Sequence, residues 1–218
     1  LLFESGAGDV SILPVVNMDS LQKLREEDYP EVLPILALRN AVLFPATVIP
    51  VAVGREKSIK LVKDAYKSSK IIGAVSQLDV EEENPMIMDL YDIGTLARIL
   101  KIIEMPDGSI TAILQGVRRF KVVEQTAFEP YLFAKVSYLD DILAKKSDKE
   151  MDALAGSIKD AALQILKLSP HLPQEAGFAI RNLEGNEFLT NFIASSVEIE
   201  NPLEKMRLLK EHNIKVRA

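Results

Sequence analysis

Two prolines in a short apolar loop constrain this chain most: Pro45 and Pro50, carried within Leu33–Ile59, LPILALRNAVLFPATVIPVAVGREKSI. Proline offers no N–H to a ladder, so Leu43, Phe44, Pro45, Ile49 and Pro50 are expected in irregular backbone. Yet they are more apolar than a solvated loop. Two readings follow. In one, Leu43, Phe44 and Ile49 plug an end of a barrel as core side chains. In the other, part of the run stays exposed and grips apolar stretches of unfolded chains. Arg55, Glu56, Lys57 and Lys60 would then form a rim of both signs, which tolerates many sequences. Leu43, Phe44, Pro45, Ile49, Arg55, Glu56, Lys57 and Lys60 are therefore the candidate binding residues.

Patterning around this run predicts a β-rich half followed by a helical half. Leu33–Leu38 reads as a strand and Asn40–Val53 as a loop or broken strand. Gly54–Lys57 opens a helix in which Ile59, Val62, Ala65 and Tyr66 recur at helical spacing. Ile71–Ser76 is a continuous apolar run, the mark of a buried strand. Thr95–Glu104 and Ser109–Gly116 flank Met105-Pro106-Asp107-Gly108, a hairpin turn in which Pro fixes φ and Gly accepts a positive one. Arg119–Glu124 and Leu132–Leu139 supply two more strands. Apolar groups on both faces of Leu96–Ile103 imply a sheet covered on each side or curled into a barrel.

From about Asp140 the period changes. Ser147 with Glu150 reads as a capping box ahead of Met151, Leu154, Ile158, Ala162, Ile165 and Leu168. Pro173 suits the first turn of a helix over Ala176–Leu183, Asn186 the cap of the next, and Asn201-Pro202 the opening of a last. Expected units are a flexible tail over 1–30, with a helical turn near Ser20–Glu27, a β-rich barrel over 31–143 and a helical bundle over 144–218. The fold class is α+β.

Composition and motifs exclude more chemistry than they admit. The 218 residues are 48% apolar with net charge −6, which disfavours nucleic acid and anionic membranes. No cysteine is present, so thiolate metal sites and cysteine nucleophiles are absent, and the chain suits a reducing compartment. No apolar run approaches the ~20 residues that cross a bilayer. The N-terminal LLFESGAGDVSILPVV lacks a basic region and reads as an internal cut or processed end. No phosphate loop, nucleophile elbow or H-E-x-x-H occurs, and Gly6-Ala7-Gly8 is too short for a dinucleotide fingerprint. His171 and His212 read as surface or capping residues, and Asp79–Glu83 with Asn84-Pro85 as a solvated acidic loop. Arg98, Lys101, Arg118, Arg119 and Lys121 fall on adjacent strands, where the expectation is the wet edge of a sheet.

Several segments resemble a known family. Leu38–Pro45 (LRNAVLFP), Val53–Ser58 (VGREKS), Asp89–Ile99 (DLYDIGTLARI), Pro106-Asp107-Gly108 and Gln115–Arg119 (QGVRR) follow, in order, the pattern of the amino-terminal domain of Lon, the ATP-dependent protease. The resemblance covers about residues 31–139. It implies a PUA-like pseudo-barrel of about six strands with one packed helix, followed by a helical bundle. It also implies recognition and delivery of misfolded or unfolded polypeptides to a cytoplasmic homo-hexamer. That longer protein would use ATP and magnesium in an AAA+ module and cut with a Ser–Lys dyad. None of those motifs lies in these 218 residues, so no catalytic, cofactor or metal residue carries over. The alternative is a stand-alone binding module of the same fold, for protein or RNA, without protease activity.

Overall fold

The computed structural model describes residues 3–5, 9–11, 29–106, 108–145, 148–168, 180–183, 185–197 and 202–218. Near the start, β1 (Phe3–Ser5) and β2 (Asp9–Ser11) pair antiparallel where the sequence showed no period. The main sheet takes β3 (Val32–Leu38), β4 (Val48–Val53), β5 (Ile71–Ser76), β6 (Ile93–Glu104), β7 (Ile110–Ala127) and β8 (Phe133–Tyr138) in the order β4-β7-β6-β5-β3-β8. Because β8 bonds to both β3 and β7, five of these strands close a ring and β4 is left as the edge. Helix α1 (Glu56–Lys67) bridges the parallel pair β3 and β5, a pairing that a tight turn cannot make. The α+β class and the barrel with one packed helix are as the sequence implied.

Strand β7 is the element that the sequence misjudged. Gly116 between two apolar runs read as a break, but the strand runs unbroken for 18 residues. Residues 110–115 pair with β4 and residues 120–127 with β8, while β6 follows the other side. Register shifts at Leu96/Ala97 and Val122/Glu124 bend it enough to serve both neighbours. Likewise, Ile49 and Pro50 lie in the regular strand β4 rather than in a loop. Pro50 is tolerated there because β4 is an edge, where a missing N–H leaves no broken ladder.

Burial falls into three clusters. Leu36, Leu38, Ile72 and Leu114 pack with Leu61, Val62 and Ala65 of α1. Leu33, Ile35, Val75 and Leu96 surround the fully buried Phe120. The third joins the two halves of the chain: Val42, Phe44 and Ile93 from the barrel meet Ala194, Met206 and Leu209 from the helices.

The helical part comprises α2 (Lys149–Leu168), α3 (Asn186–Ser196), α4 (Pro202–Lys210) and the short α5 (Ile214–Arg217). Asp148 caps α2, its Oδ1 accepting from the N–H of Glu150 and of Met151 at 3.1 Å each. Ser147, expected as that cap, lies outside the described residues, as do Pro173 and most of Ala176–Leu183. Asn186 is the first residue of α3 rather than its cap, a place taken by Gly185 at φ +87°. A side-chain N-cap needs extended backbone there, and the left-handed conformation gives the position to glycine instead.

Candidate functional site

The proline loop is core, not surface. Leu43, Phe44 and Pro45 are buried, Phe44 with 0% of its surface exposed, and Ile49 is half-buried in β4. A buried loop is tolerable only when its backbone groups are satisfied, and here hydroxyls do that. Thr95 Oγ1 donates to the Leu43 carbonyl at 2.6 Å, Ser76 Oγ to that of Ala41 at 2.6 Å, and Thr47 Oγ1 to that of Phe44 at 2.8 Å. The Ala46 N–H donates to the Gly116 carbonyl, and the Gly116 N–H to that of Thr47. Of the two readings of this run, burial supports the plug and removes Leu43, Phe44 and Pro45 from any gripping surface.

The charged rim does come together, at the N-terminus of α1. Arg55, Glu56 and Lys57 line a groove of about 430 Å³ with Phe128, Tyr131 and Pro85. The cations there already have partners. Lys57 pairs with Glu129 at 2.7 Å and sits over the Phe128 ring, and Lys60 pairs with Asp64 one turn on. Arg55 Nη2 donates to Gln77 Oε1 at 2.5 Å and to the Glu82 carbonyl at 3.1 Å. Burial, then the neighbouring Arg39, lowers its pKa. Of the cations expected on the wet edge of the sheet, one departs from that expectation. Arg119 is fully buried against Asp141, and Arg118 pairs with Asp140.

Three of the exposed large apolar side chains lie on the segment that Arg55 holds down. Between Gln77 and Tyr91 the chain leaves β5, loops out and returns through an isolated bridge between Gln77 and Leu90. Gln77 Nε2 donates to the carbonyls of Asp79 and Glu82 at 3.0 and 2.9 Å. Arg39 pairs with Glu83 at 2.7 Å and holds that carboxyl below its usual range. Asp79 accepts from the Glu81 N–H and Glu82 from that of Asn84. Asp89 accepts from the Met86 N–H at 2.8 Å, setting a single 3₁₀ turn over Ile87–Asp89.

That turn divides its side chains. Ile87 packs inward on the second cluster with Leu90, while Met86 and Met88 point out, 39% and 73% exposed. The Leu78 N–H donates to the Asp89 carbonyl and so ties the backbone of a third apolar residue, 55% exposed, to the end of that turn. Leu78 also edges a hollow of about 250 Å³ shared with Val80, Tyr91 and Leu203. Sequence reading stopped at the acidic residues of this loop and missed Leu78, Met86 and Met88. The available signal was Pro85-Met86-Ile87-Met88, an apolar cluster that matches neither a helical nor a strand period.

A pinned backbone bearing flexible thioethers suits adaptable apolar contact, since the unbranched, polarizable Met side chain fits irregular partners. Among the described residues no group of three His, Asp or Glu is placed to hold a metal ion. No helix among them is long and apolar enough to cross a membrane.

Comparison with known proteins gives a consistent result. A family model for the substrate-binding domain of ATP-dependent protease La (LON) matches residues 32–218. The Lon protease of Flavobacterium johnsoniae is 43% identical over 210 residues, which cover 96% of this chain and 26% of that protein. The Lon protease of Cytophaga hutchinsonii is 45% identical over 201 residues, covering 92% of this chain and 25% of its own length. The chain thus spans about a quarter of the length of the curated relatives it matches. Among solved structures, the N-terminal domain of Mycobacterium avium complex Lon protease superposes with a TM-score of 0.68 at 20% identity, covering 85% of this chain and 93% of that one. A Lon N-terminal domain protein from Xanthomonas campestris gives 0.58 at 21%, covering 85% and 94%. At those identities the likeness is one of fold.

Proposed function

The chain belongs to the LON substrate-binding domain family, and from that premise we propose that it captures unfolded polypeptide through Leu78, Met86 and Met88. The captured segment passes to an ATP-dependent protease of which these residues are a part. The observation that carries the reading is the contrast at the loop: its backbone is tied down by Gln77, Arg39, Arg55 and Asp89 while Leu78, Met86 and Met88 face solvent. A monomeric fold has no need to spend exposed methionines on a held loop, whereas a binder of many sequences does. The groove at the start of α1, with Phe128 and Tyr131 in its wall, continues from Pro85 and extends the surface. In this reading ATP, magnesium and peptide-bond cleavage belong to the remainder of a hexameric, cytoplasmic protein.

The test is a double substitution, Met86→Ser with Met88→Ser, and binding of a permanently unfolded, labelled protein followed by anisotropy. Removing two partly buried contacts is expected to weaken binding about 10-fold, with the circular dichroism spectrum unchanged. Unaltered affinity in a folded variant would reject this surface. Leu43→Ser is the contrasting control: it should cost about 3 kcal/mol of stability because its site is core.

A further inference from the structure

The binding reading says nothing about which unfolded segments are preferred, but the charge around the methionines does. Asp79, Glu81, Glu82, Glu83 and Asp89 lie on the loop that carries Leu78, Met86 and Met88, and no Lys or Arg lies between Gln77 and Tyr91. Among the described residues, the cations bonded to this loop are Arg39, paired with Glu83, and Arg55, bonded to the Glu82 carbonyl and to Gln77. Arg55 is half-buried beneath the loop, whereas Asp79, Glu81 and Glu83 are exposed. Nearby Asp92 is neutralised by Lys210 at 2.7 Å. Five carboxylates against two guanidiniums leave a negative field around an apolar patch.

We infer that the Leu78–Met86–Met88 patch selects unfolded segments in which apolar side chains alternate with lysine or arginine, and rejects segments rich in aspartate or glutamate. This rests on the proposed binding function and specifies its substrate class. Opposite charge steers a flexible chain to the patch, and like charge held against it is a cost that an apolar contact must overcome. The same field disfavours a second copy of this chain as occupant, because two such patches would bring their carboxylates face to face.

Three labelled peptides test it, with identical leucines and with lysine, glutamine or glutamate at every intervening position, titrated with the 218-residue chain. The lysine peptide should bind about 10-fold more tightly than the glutamate peptide at low salt, a gap expected to shrink to about 2-fold near 1 M salt. Asp79→Asn with Glu81→Gln should reduce the low-salt gap to about 3-fold and leave the glutamine peptide unaffected. Equal binding of lysine and glutamate peptides, with Met88→Ser still weakening the glutamine peptide, would overturn the charge preference and keep the binding surface. Indifference of every peptide to Met88→Ser would overturn both. Self-association abolished by Met88→Ser would also overturn the preference, by naming a second copy as the occupant.

Discussion

Gly116 is the residue on which the buried proline loop turns. A Cβ built there would lie 2.1 Å from the Phe44 carbonyl oxygen, which belongs to backbone and cannot swing aside. The glycine is needed for close approach, not for a turn, and this is why a strand read as broken at Gly116 is continuous. Gly116→Ala is expected to destabilise the fold by about 2–3 kcal/mol, read as a lowered urea midpoint with unchanged slope. Thr95→Val tests the other half of the arrangement. It keeps the shape but leaves the Leu43 carbonyl without its donor, at a cost of about 1–3 kcal/mol. The sequence revealed that the loop was irregular and apolar. It could not reveal that the loop was buried, because apart from the nearby Thr47 the hydroxyls that make burial tolerable come from Ser76 and Thr95, far along the chain.

Among the elements, those with strong local grammar were legible. The buried run of β5, the hairpin of β6 and β7, the amphipathic α1 and the strand β8 all stand where periodicity and turn residues placed them. What failed was grammar with two meanings, such as a polar residue that could cap or merely precede a cap. The start of α2 offers a test of that kind. Asp148 is held below its usual carboxylate range by the Met151 N–H first, then by Lys215. With the folded pKa depressed, its stabilising effect is present above the ordinary carboxylate value and is lost as pH falls through the lower folded value. Wild type should therefore be more stable than Asp148→Asn near neutrality, and the gap should close as pH falls below the ordinary carboxylate range. A gap that is constant across that range would mean that the charge of Asp148 contributes nothing. The binding loop belongs at this scale too. Its acidic residues were read correctly as solvent-facing, but its methionines needed the 3₁₀ turn to show which side chains point outward.

For the molecule as a whole, the barrel and the helices meet at Asp141. Arg119 of β7 and Arg217 of α5 both donate to Asp141, at 2.5 and 2.7 Å, and neither arginine has exposed side-chain surface. Arg119 also donates to the Leu209 carbonyl at the end of α4, and Arg217 to Asn191 of α3 at 2.7 Å. One carboxylate thus ties the barrel to three helices, beside the cluster in which Phe44 meets Met206. Removing it leaves two desolvated guanidiniums, so Asp141→Ala should cost about 3–5 kcal/mol. Faster amide exchange in α3 and α4 than in β5 would place the loss at the joint. In sequence these charges look like surface residues, because burial of an ion pair depends on partners that lie tens of positions away. Ring closure has a temporal side as well. Val32 pairs with Lys135 across about a hundred intervening residues, so during synthesis β3 waits with one edge open until β8 has emerged, and Phe44 waits longer for Met206. Loop-closure entropy makes such long-range pairing slow. A chain proposed to hold unfolded polypeptides therefore passes, each time it is made, through an open state that resembles its own clients.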